Sequence, residues 1–413
     1  MKELFVIGMG LSARDLTAAH MEIIRSADIL MGGRSHLEQL GALSMEKVAI
    51  TGKVDQAVDF IRNRRATRRI VVLASGDPLF FGIGARLVGD LGPEQVTLLP
   101  NVTSIAAAFA RIKEPWGNAE ILSLHGRDTR YRLLAALKSH ALVAVLTDAQ
   151  QSPQWLARWL LDKAVEGVEM AVFENLAATG EAFGWYALDQ AADRSFAQPN
   201  VVILKASARK PNGYALALGM ADDAYHHQDG LITKSEVRAV ALAKLRLEPG
   251  LTLWDLGAGS GSVGLEASVL LGEGRIIAVE QDSDRVAQIR QNKHRYGVYN
   301  HEVVQAKLPQ GLEGLPPPDR IFIGGGGGDL AAIIEAAIPY LALDGIMVVN
   351  TVLMDNFSRA VNALTAQGMT PEVTQLQVSR SKNMPWSLRL EAQNPVWIIA
   401  GLRSPMTTAR SEA

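Results

Sequence analysis

The run Leu253-Trp-Asp-Leu256 passes directly into Gly257-Ala-Gly-Ser-Gly261 and then into a helical pattern. Glycines at this density let a chain turn sharply off a strand, and they bring backbone N–H groups close to a ligand. The next apolar run, Arg275-Ile-Ile-Ala-Val-Glu280, ends in an acid suited to accept from two ribose hydroxyls. A strand, a glycine turn and a helix repeated in this order demand a parallel or mixed sheet covered on both faces. Spacing leaves the ligand open, because Gly259-Ser-Gly-Ser-Val-Gly264 also satisfies the dinucleotide pattern. Asp255 lies two residues ahead of the first glycine, where its carboxylate can reach the loop or a ligand ammonium group, which a nicotinamide site does not need.

The same alternation runs through most of the 413 residues. Strands are expected at 4–7, 70–74, 96–99, 121–124 and 142–146, with helices at 54–65, 84–90, 103–110 and 131–139. Polar, Pro- and Gly-bearing residues at 207–229 read as a linker between two domains, 1–206 and 230–403, and 404–413 as a frayed tail. In the second domain helices are expected at 234–247, 263–271 and 284–296. Strands are expected there at 251–256, 275–280, 302–304, 321–323, 346–350 and 396–402. The fold class is α/β in both halves.

Composition excludes several chemistries. There is no cysteine, so disulfides, thiolate metal sites and cysteine nucleophiles are ruled out. A net charge of -2 disfavours nucleic acid as the main partner. No apolar run approaches a membrane span and no signal peptide is visible, so a cytoplasmic protein is expected.

The N-terminal half carries its own glycine turns. Phe5-Val-Ile-Gly8-Met-Gly10 ends the first strand. Ile70-Val-Val-Leu-Ala-Ser-Gly76-Asp-Pro-Leu-Phe-Phe-Gly82-Ile-Gly84 is more specific, and Pro100-Asn-Val-Thr-Ser104 and Leu124-His-Gly-Arg127-Asp128 follow further strands. Ligands of open α/β sheets bind at that strand edge. Asp77 invites a catalytic reading, but an Asp in Gly-Asp-Pro more often caps its own turn, and that reading is preferred. His226-His227 reads as a solvated pair in the linker.

These residues carry two resemblances. The N-terminal motifs resemble the class III tetrapyrrole methylases of the CbiE type over about residues 1–205, though Gly8-Met-Gly10-Leu-Ser departs from the Gly-x-Gly-Pro usual there. The resemblance implies a two-lobed domain with S-adenosylmethionine between the lobes, held by Met9, Gly76, Asp77, Phe80, Gly82, Ser104 and Ile105. Residues 255–264 with Val279-Glu-Gln-Asp282 resemble the class I S-adenosylmethionine methyltransferase fingerprint. Gly230-Leu-Ile-Thr-Lys-Ser-Glu-Val-Arg238, Ala306 and the pentaglycine at 324–328 narrow it to the CbiT-type corrin-ring methyltransferases. This implies a Rossmann-like domain whose cofactor is held by Thr233, Asp255, Gly257, Ala258, Gly259, Ser260, Gly261, Glu280 and Ala306. The pentaglycine reads equally as a flexible turn or as a close approach to a large flat substrate.

In that order the halves resemble the fused, decarboxylating precorrin-6Y C5,15-methyltransferases of the CobL type. The resemblance implies C5 methylation by the first domain, and C15 methylation with loss of CO2 from the C12 acetate by the second. It implies one S-adenosylmethionine per domain, no metal, a precorrin substrate, a homo-oligomer and hand-over to neighbouring pathway enzymes. A polycarboxylate substrate calls for cations along the cleft. Arg34, His125, Arg127 and Arg130 are the candidates in the first domain, and Lys234, Arg238, Arg380 and Lys382 in the second. Weighed against this are a nicotinamide oxidoreductase, a non-enzymatic scaffold and an RNA methyltransferase. The acid ahead of the loop, the complete glycine sets and the absence of a basic aromatic face oppose them in turn.

Overall fold

A computed structural model describes residues 3–52, 54–124, 129–207, 215–228 and 230–403. The chain divides into two compact units. The first comprises Met1–Thr129, His140–Leu161 and Val168–Ala206, and the second Arg130–Ser139, Asp162–Gly167 and Ser207–Ala413.

The first unit holds two five-stranded sheets. β1 (Leu4–Gly8), β2 (Ile29–Gly32), β3 (Glu46–Ala49), β4 (Ile70–Ala74) and β5 (Val96–Leu99) form a wholly parallel sheet in the order β3-β2-β4-β1-β5. Both faces of this sheet are covered. Leu4 and Val6 of β1 pack into one core, and Phe5 and Ile7 into the other. That double burial makes the strand a continuous apolar run rather than an alternating one. The second sheet joins β6 (Glu120–Ser123), β7 (Leu142–Leu146), β8 (Val168–Glu174), β9 (Ala182–Ala187) and β10 (Asn200–Ala206) in the order β6-β7-β10-β8-β9. Only β6 and β7 run parallel in it.

In the second unit β11 (Thr252–Leu256), β12 (Arg275–Glu280), β13 (His301–Gln305), β14 (Arg320–Ile323) and β15 (Ile346–Thr351) are parallel. β16 (Thr370–Leu376), a hairpin of β17 (Ser379–Met384) and β18 (Ser387–Ala392), and β19 (Val396–Leu402) follow. The seven-stranded order is β13-β12-β11-β14-β15-β19-β16, with β19 antiparallel to both neighbours. The order reverses between β11 and β14, so the loops after these two strands diverge and leave a crevice at the carboxyl edge.

The expected linker is largely part of the second unit. Tyr225 is buried among Leu265, Tyr296 and Val298. The backbone N–H groups of Gly219 and Met220 donate to the Glu266 carboxylate at 2.8 and 3.2 Å. The polar composition that suggested a free linker is instead the set of partners that a buried carboxylate needs. Among the described residues no helix is long and apolar enough to cross a membrane.

Candidate active sites

In the first unit the loops after β1 and β4 are locked together. Gly10 and Gly76 exchange backbone hydrogen bonds of 3.1 and 3.3 Å, and both have positive φ. A Cβ at Gly8 would lie 2.3 Å from the Gly76 carbonyl, so glycine is required there by packing. The departure at Leu11-Ser12 is absorbed by Asp15, whose carboxylate accepts from both backbone N–H groups.

These loops open on a cavity of about 880 Å³. It is lined by Met9, Ala74, Ser75, Gly76, Asp77, Phe80, Gly82 and Ser104, by Phe173 and Asn200 of the second sheet, and by Asn175 just after β8. Six of the seven expected cofactor residues therefore meet on one wall. The exception is Ile105, which is fully buried in the core beneath the helix Ser104–Ile112. Asp77 Oδ1 accepts from the Leu79 N–H at 2.8 Å, the turn-capping arrangement preferred above. A Cβ on Gly82 or Gly84 would strike the Pro78 carbonyl at 2.7 or 2.6 Å, so both glycines serve the turn itself.

The expected cationic lining is not seen here. Arg34 is exposed and off the wall, and no lysine or arginine lines the cavity among the described residues. His125 and Arg127 lie outside the described residues. Sequence reading missed His36, which lines the same cavity and contacts Ser75 Oγ through Nε2 at 3.2 Å. Its signal was only a lone histidine near a glycine pair.

In the second unit a cavity of about 500 Å³ sits at the reversal point. Gly257, Glu280, Gln281, Arg285, Ala306, Lys307, the Gly325-to-Gly328 stretch and Asp329 line it. Gly257 has φ +72, and a Cβ on it would lie 3.3 Å from the Gly325 N atom. The N–H groups of Gly257 and Ala258 both donate to the Val279 carbonyl, at 2.9 and 3.2 Å. Glu280 holds the loop from below. One oxygen accepts from Gly259 N–H at 2.9 Å, and the other from Gln281 and Asp282 N–H at 3.0 Å each. Gly259 has φ +58 and open space where a Cβ would go. Ser260 is buried, and the helix that follows begins at Ser262 with Gly261 as its cap.

Of the nine expected cofactor residues, Gly257, Glu280 and Ala306 line this cavity, while Ala258, Gly259, Ser260 and Gly261 complete the adjoining loop without lining it. Thr233 and Asp255 neither line the cavity nor belong to that loop. The Thr233 carbonyl accepts from Arg238. Asp255 is 1% exposed and lies beneath the helix, where Oδ2 accepts from Gly264 N–H at 3.1 Å and Oδ1 has no partner. Asp255 shares the sheet face of Leu253, two residues away, rather than the face or edge that opens on the crevice. Burial raises its pKa to about 7; the Gly264 N–H opposes this and the Glu280 charge adds to it.

That shift has a testable sign. Between the ordinary aspartate value and about pH 7 the folded chain keeps a proton that the unfolded chain releases. Stability from this group is therefore greatest at low pH and falls as pH rises from the ordinary aspartate value to about 7, by on the order of 4 kcal/mol in full. Asp255→Asn removes the titration. Calorimetric melts of the second unit at pH 6 and pH 8 should then differ less than in the parent chain.

The proposed substrate cations of this unit are already engaged. Arg380 donates to Asp222 at 2.8 Å and to Glu236 at 3.0 Å. Lys234 lies 3.8 Å from Asp222, and Lys382 pairs with Glu391 across the hairpin at 2.9 Å. Arg238 is fully buried and pairs with Glu266 at 2.9 Å and Asp222 at 3.1 Å. Asp222 lies in the supposed linker, and Glu236 and Glu266 lie 144 and 28 positions from their arginines, so those pairings were not legible from spacing; Glu391 is nine positions from Lys382, across the hairpin. Arg285 and Lys307, which were not singled out, are the cations that line the cavity.

Family models match both units. Residues 3–191 match the tetrapyrrole (corrin/porphyrin) methylases, and residues 223–401 a precorrin methyltransferase domain. A Sinorhizobium precorrin-6Y C(5,15)-methyltransferase [decarboxylating] is 34% identical over 365 residues, 85% of this chain and 83% of that protein. The chain belongs to the precorrin-6Y C(5,15)-methyltransferase family. A probable cobalt-precorrin-6B C(15)-methyltransferase (decarboxylating) of Pyrobaculum calidifontis is 41% identical over 44% of this chain and 94% of its own length. A cobalt-precorrin-7 C(5)-methyltransferase of Salmonella typhimurium is 37% identical over 49% of this chain and 98% of its own. The family thus pairs two activities that occur elsewhere on separate, half-length proteins. The fold is accordingly that of a class III tetrapyrrole methylase domain followed by a class I methyltransferase domain.

Proposed function

We propose that this chain converts precorrin-6Y to precorrin-8X in cobalamin biosynthesis, with two S-adenosylmethionine consumed and one CO2 released. The observation that carries this reading is the similarity, over 85% of this chain and 83% of the relative, to a decarboxylating C(5,15) enzyme. The domain division follows from it. Residues 1–206 methylate C5, and 230–403, together with the packed part of 207–229, methylate C15 and decarboxylate the C12 acetate. One S-adenosylmethionine occupies each unit, and neither step calls for a metal.

The residues present fit such a ligand. Both cavities fall in the size range of small-molecule sites. In the second unit Gly259 offers backbone where any other residue would place a side chain. Ala306 leaves flat space beside Glu280, whose carboxylate keeps acceptor capacity for a ribose hydroxyl. In the first unit Asn101 Nδ2 fixes the Gly8 carbonyl at 2.9 Å and so holds the loop that shapes the cavity. When bound, S-adenosylmethionine supplies a methyl group already activated on sulfur. The chain has to orient the acceptor carbon in line with that group and exclude water, and catalysis rests on this proximity. In the second unit Arg285 and Lys307 stand where a substrate carboxylate approaches.

Titration calorimetry of the whole chain tests the stoichiometry. Two S-adenosylmethionine sites are expected, and Glu280→Ala should remove one of them. A single site in the parent chain, or binding of a nicotinamide dinucleotide instead, contradicts the reading.

A further inference from the structure

The two methylations differ in charge balance, and the difference concerns the first unit alone. Transfer of a methyl group from a sulfonium cation leaves a neutral thioether. For a neutral acceptor carbon, one positive charge must then leave as a proton. At C15 the accompanying loss of CO2 from a carboxylate removes one negative charge, so that half balances without releasing a proton. At C5 nothing else departs. The carbon that gains the methyl group must lose its hydrogen as H⁺, and the first unit needs a group to accept it.

The described lining of the first cavity contains two titratable side chains, His36 and Asp77. Asp77 has one oxygen committed to the Leu79 N–H. A carboxylate is also the weaker base, with an ordinary pKa near ~4 against ~6.5 for imidazole. His36 sits on the short helix Arg34–Gln39 and reaches across to the loop after β4, where Nε2 meets Ser75 Oγ at 3.2 Å. Ser75 is exposed and stands immediately before Gly76 on the cavity wall. Nδ1 of His36 is buried, with no hydrogen-bond partner. No lysine, arginine or further acid lines the described wall to compete for the proton.

We propose that the Ser75–His36 pair is the proton acceptor of C5 methylation, an inference that rests on the assignment of that step to the first unit. As the C5–CH3 bond forms and the S–CH3 bond breaks, a tetrahedral carbon bearing both hydrogen and methyl results. Its C–H electron pair returns to the ring and the proton passes to Ser75 Oγ. The hydroxyl proton of Ser75 passes to His36 Nε2, leaving an imidazolium that later releases it to water. Burial lowers the His36 pKa, so the imidazole is neutral and ready to accept at pH 7.

The test uses the full chain with tetrapyrrole substrate and S-adenosylmethionine, and follows both methylations in one sample by mass spectrometry. His36→Gln should slow C5 methylation by ~100-fold or more, the usual scale for loss of a general base. C15 methylation and calorimetric binding of S-adenosylmethionine to the first unit should stay within about twofold, and added imidazole should restore part of the C5 rate. In the parent chain the C5 rate should fall on the acid side, and that limb should vanish in the variant. Ser75→Ala should show the same loss with weaker rescue. C5 methylation by His36→Gln at the parent rate with an unchanged pH profile would overturn the proposal. So would a loss explained wholly by weaker cofactor binding. If the parent chain adds no methyl group at C5, the functional assignment itself fails, a result distinct from either.

Discussion

Gly257→Val should abolish C15 methylation while the same molecules continue to methylate C5. The residue has φ +72, a conformation that a β-branched side chain does not tolerate. Its Cβ would also meet the Gly325 backbone at 3.3–3.5 Å, at N, Cα and carbonyl carbon. Neither neighbour can yield freely. Gly257 N–H is tied to the Val279 carbonyl, and Gly324 N–H to the Leu256 carbonyl at 3.2 Å. Relief therefore comes from displacing one loop out of the crevice, and the crevice is the candidate cofactor site. Left-handed strain costs roughly 1–2 kcal/mol, and displacement of backbone ligands adds to it, so the C15 rate should drop by at least ~100-fold. Gly257→Ala carries the strain with a smaller side chain and should lose about tenfold. Rates of the two methylations measured on one sample make the first unit the internal control. Equal losses at C5 and C15 would show unfolding rather than a local effect.

Arg238→Met should destabilise the second unit by about 3–5 kcal/mol, because it strands a buried carboxylate. Arg238 and Glu266 are both fully buried, and their contact is 2.9 Å. The same guanidinium reaches Asp222, and the carbonyls of Met220 and Thr233. It also lies 5.1 Å from the centre of the Tyr225 ring. Without it Glu266 keeps the Tyr225 hydroxyl and two N–H groups but no countercharge. The double change to Arg238→Met with Glu266→Gln should recover much of the loss, since the uncompensated charge is gone. Calorimetric unfolding of the three chains would show this as a lower transition for the second unit in the single variant, with the first unit's transition unmoved.

How much of this the sequence made legible depended on whether the determining contact was local. β1, β4 and β7 were legible because double burial leaves a continuous apolar signature at Leu4–Gly8, Ile70–Ala74 and Leu142–Leu146. β3, with no fully buried residue, the largely exposed hairpin of β17 and β18, and the half-exposed β9 and β16 carry no such signature and were missed. β2, β8 and β10 were missed as well, although each is a mostly buried apolar run, so burial alone did not make a strand legible. The glycine loops were legible because a positive φ at Gly76, Gly257 and Gly259 selects the residue type directly. The pairing of the cations was illegible for the opposite reason. Arg380 and Glu236 are 144 positions apart, and nothing in either neighbourhood announces the pair. Asp255 stands ahead of the glycine loop in sequence, yet the pleat turns its carboxylate under the helix, an outcome set by strand phase. His36 escaped notice because its partner, Ser75, lies 39 residues away.

The central claim, that one chain performs both methylations and the decarboxylation, is tested most directly by mass spectrometry of the tetrapyrrole after incubation with the purified chain and S-adenosylmethionine. A product with two added methyl groups and one lost CO2 is expected. A product that gains a single methyl group, or two with the acetate carboxyl retained, would contradict it.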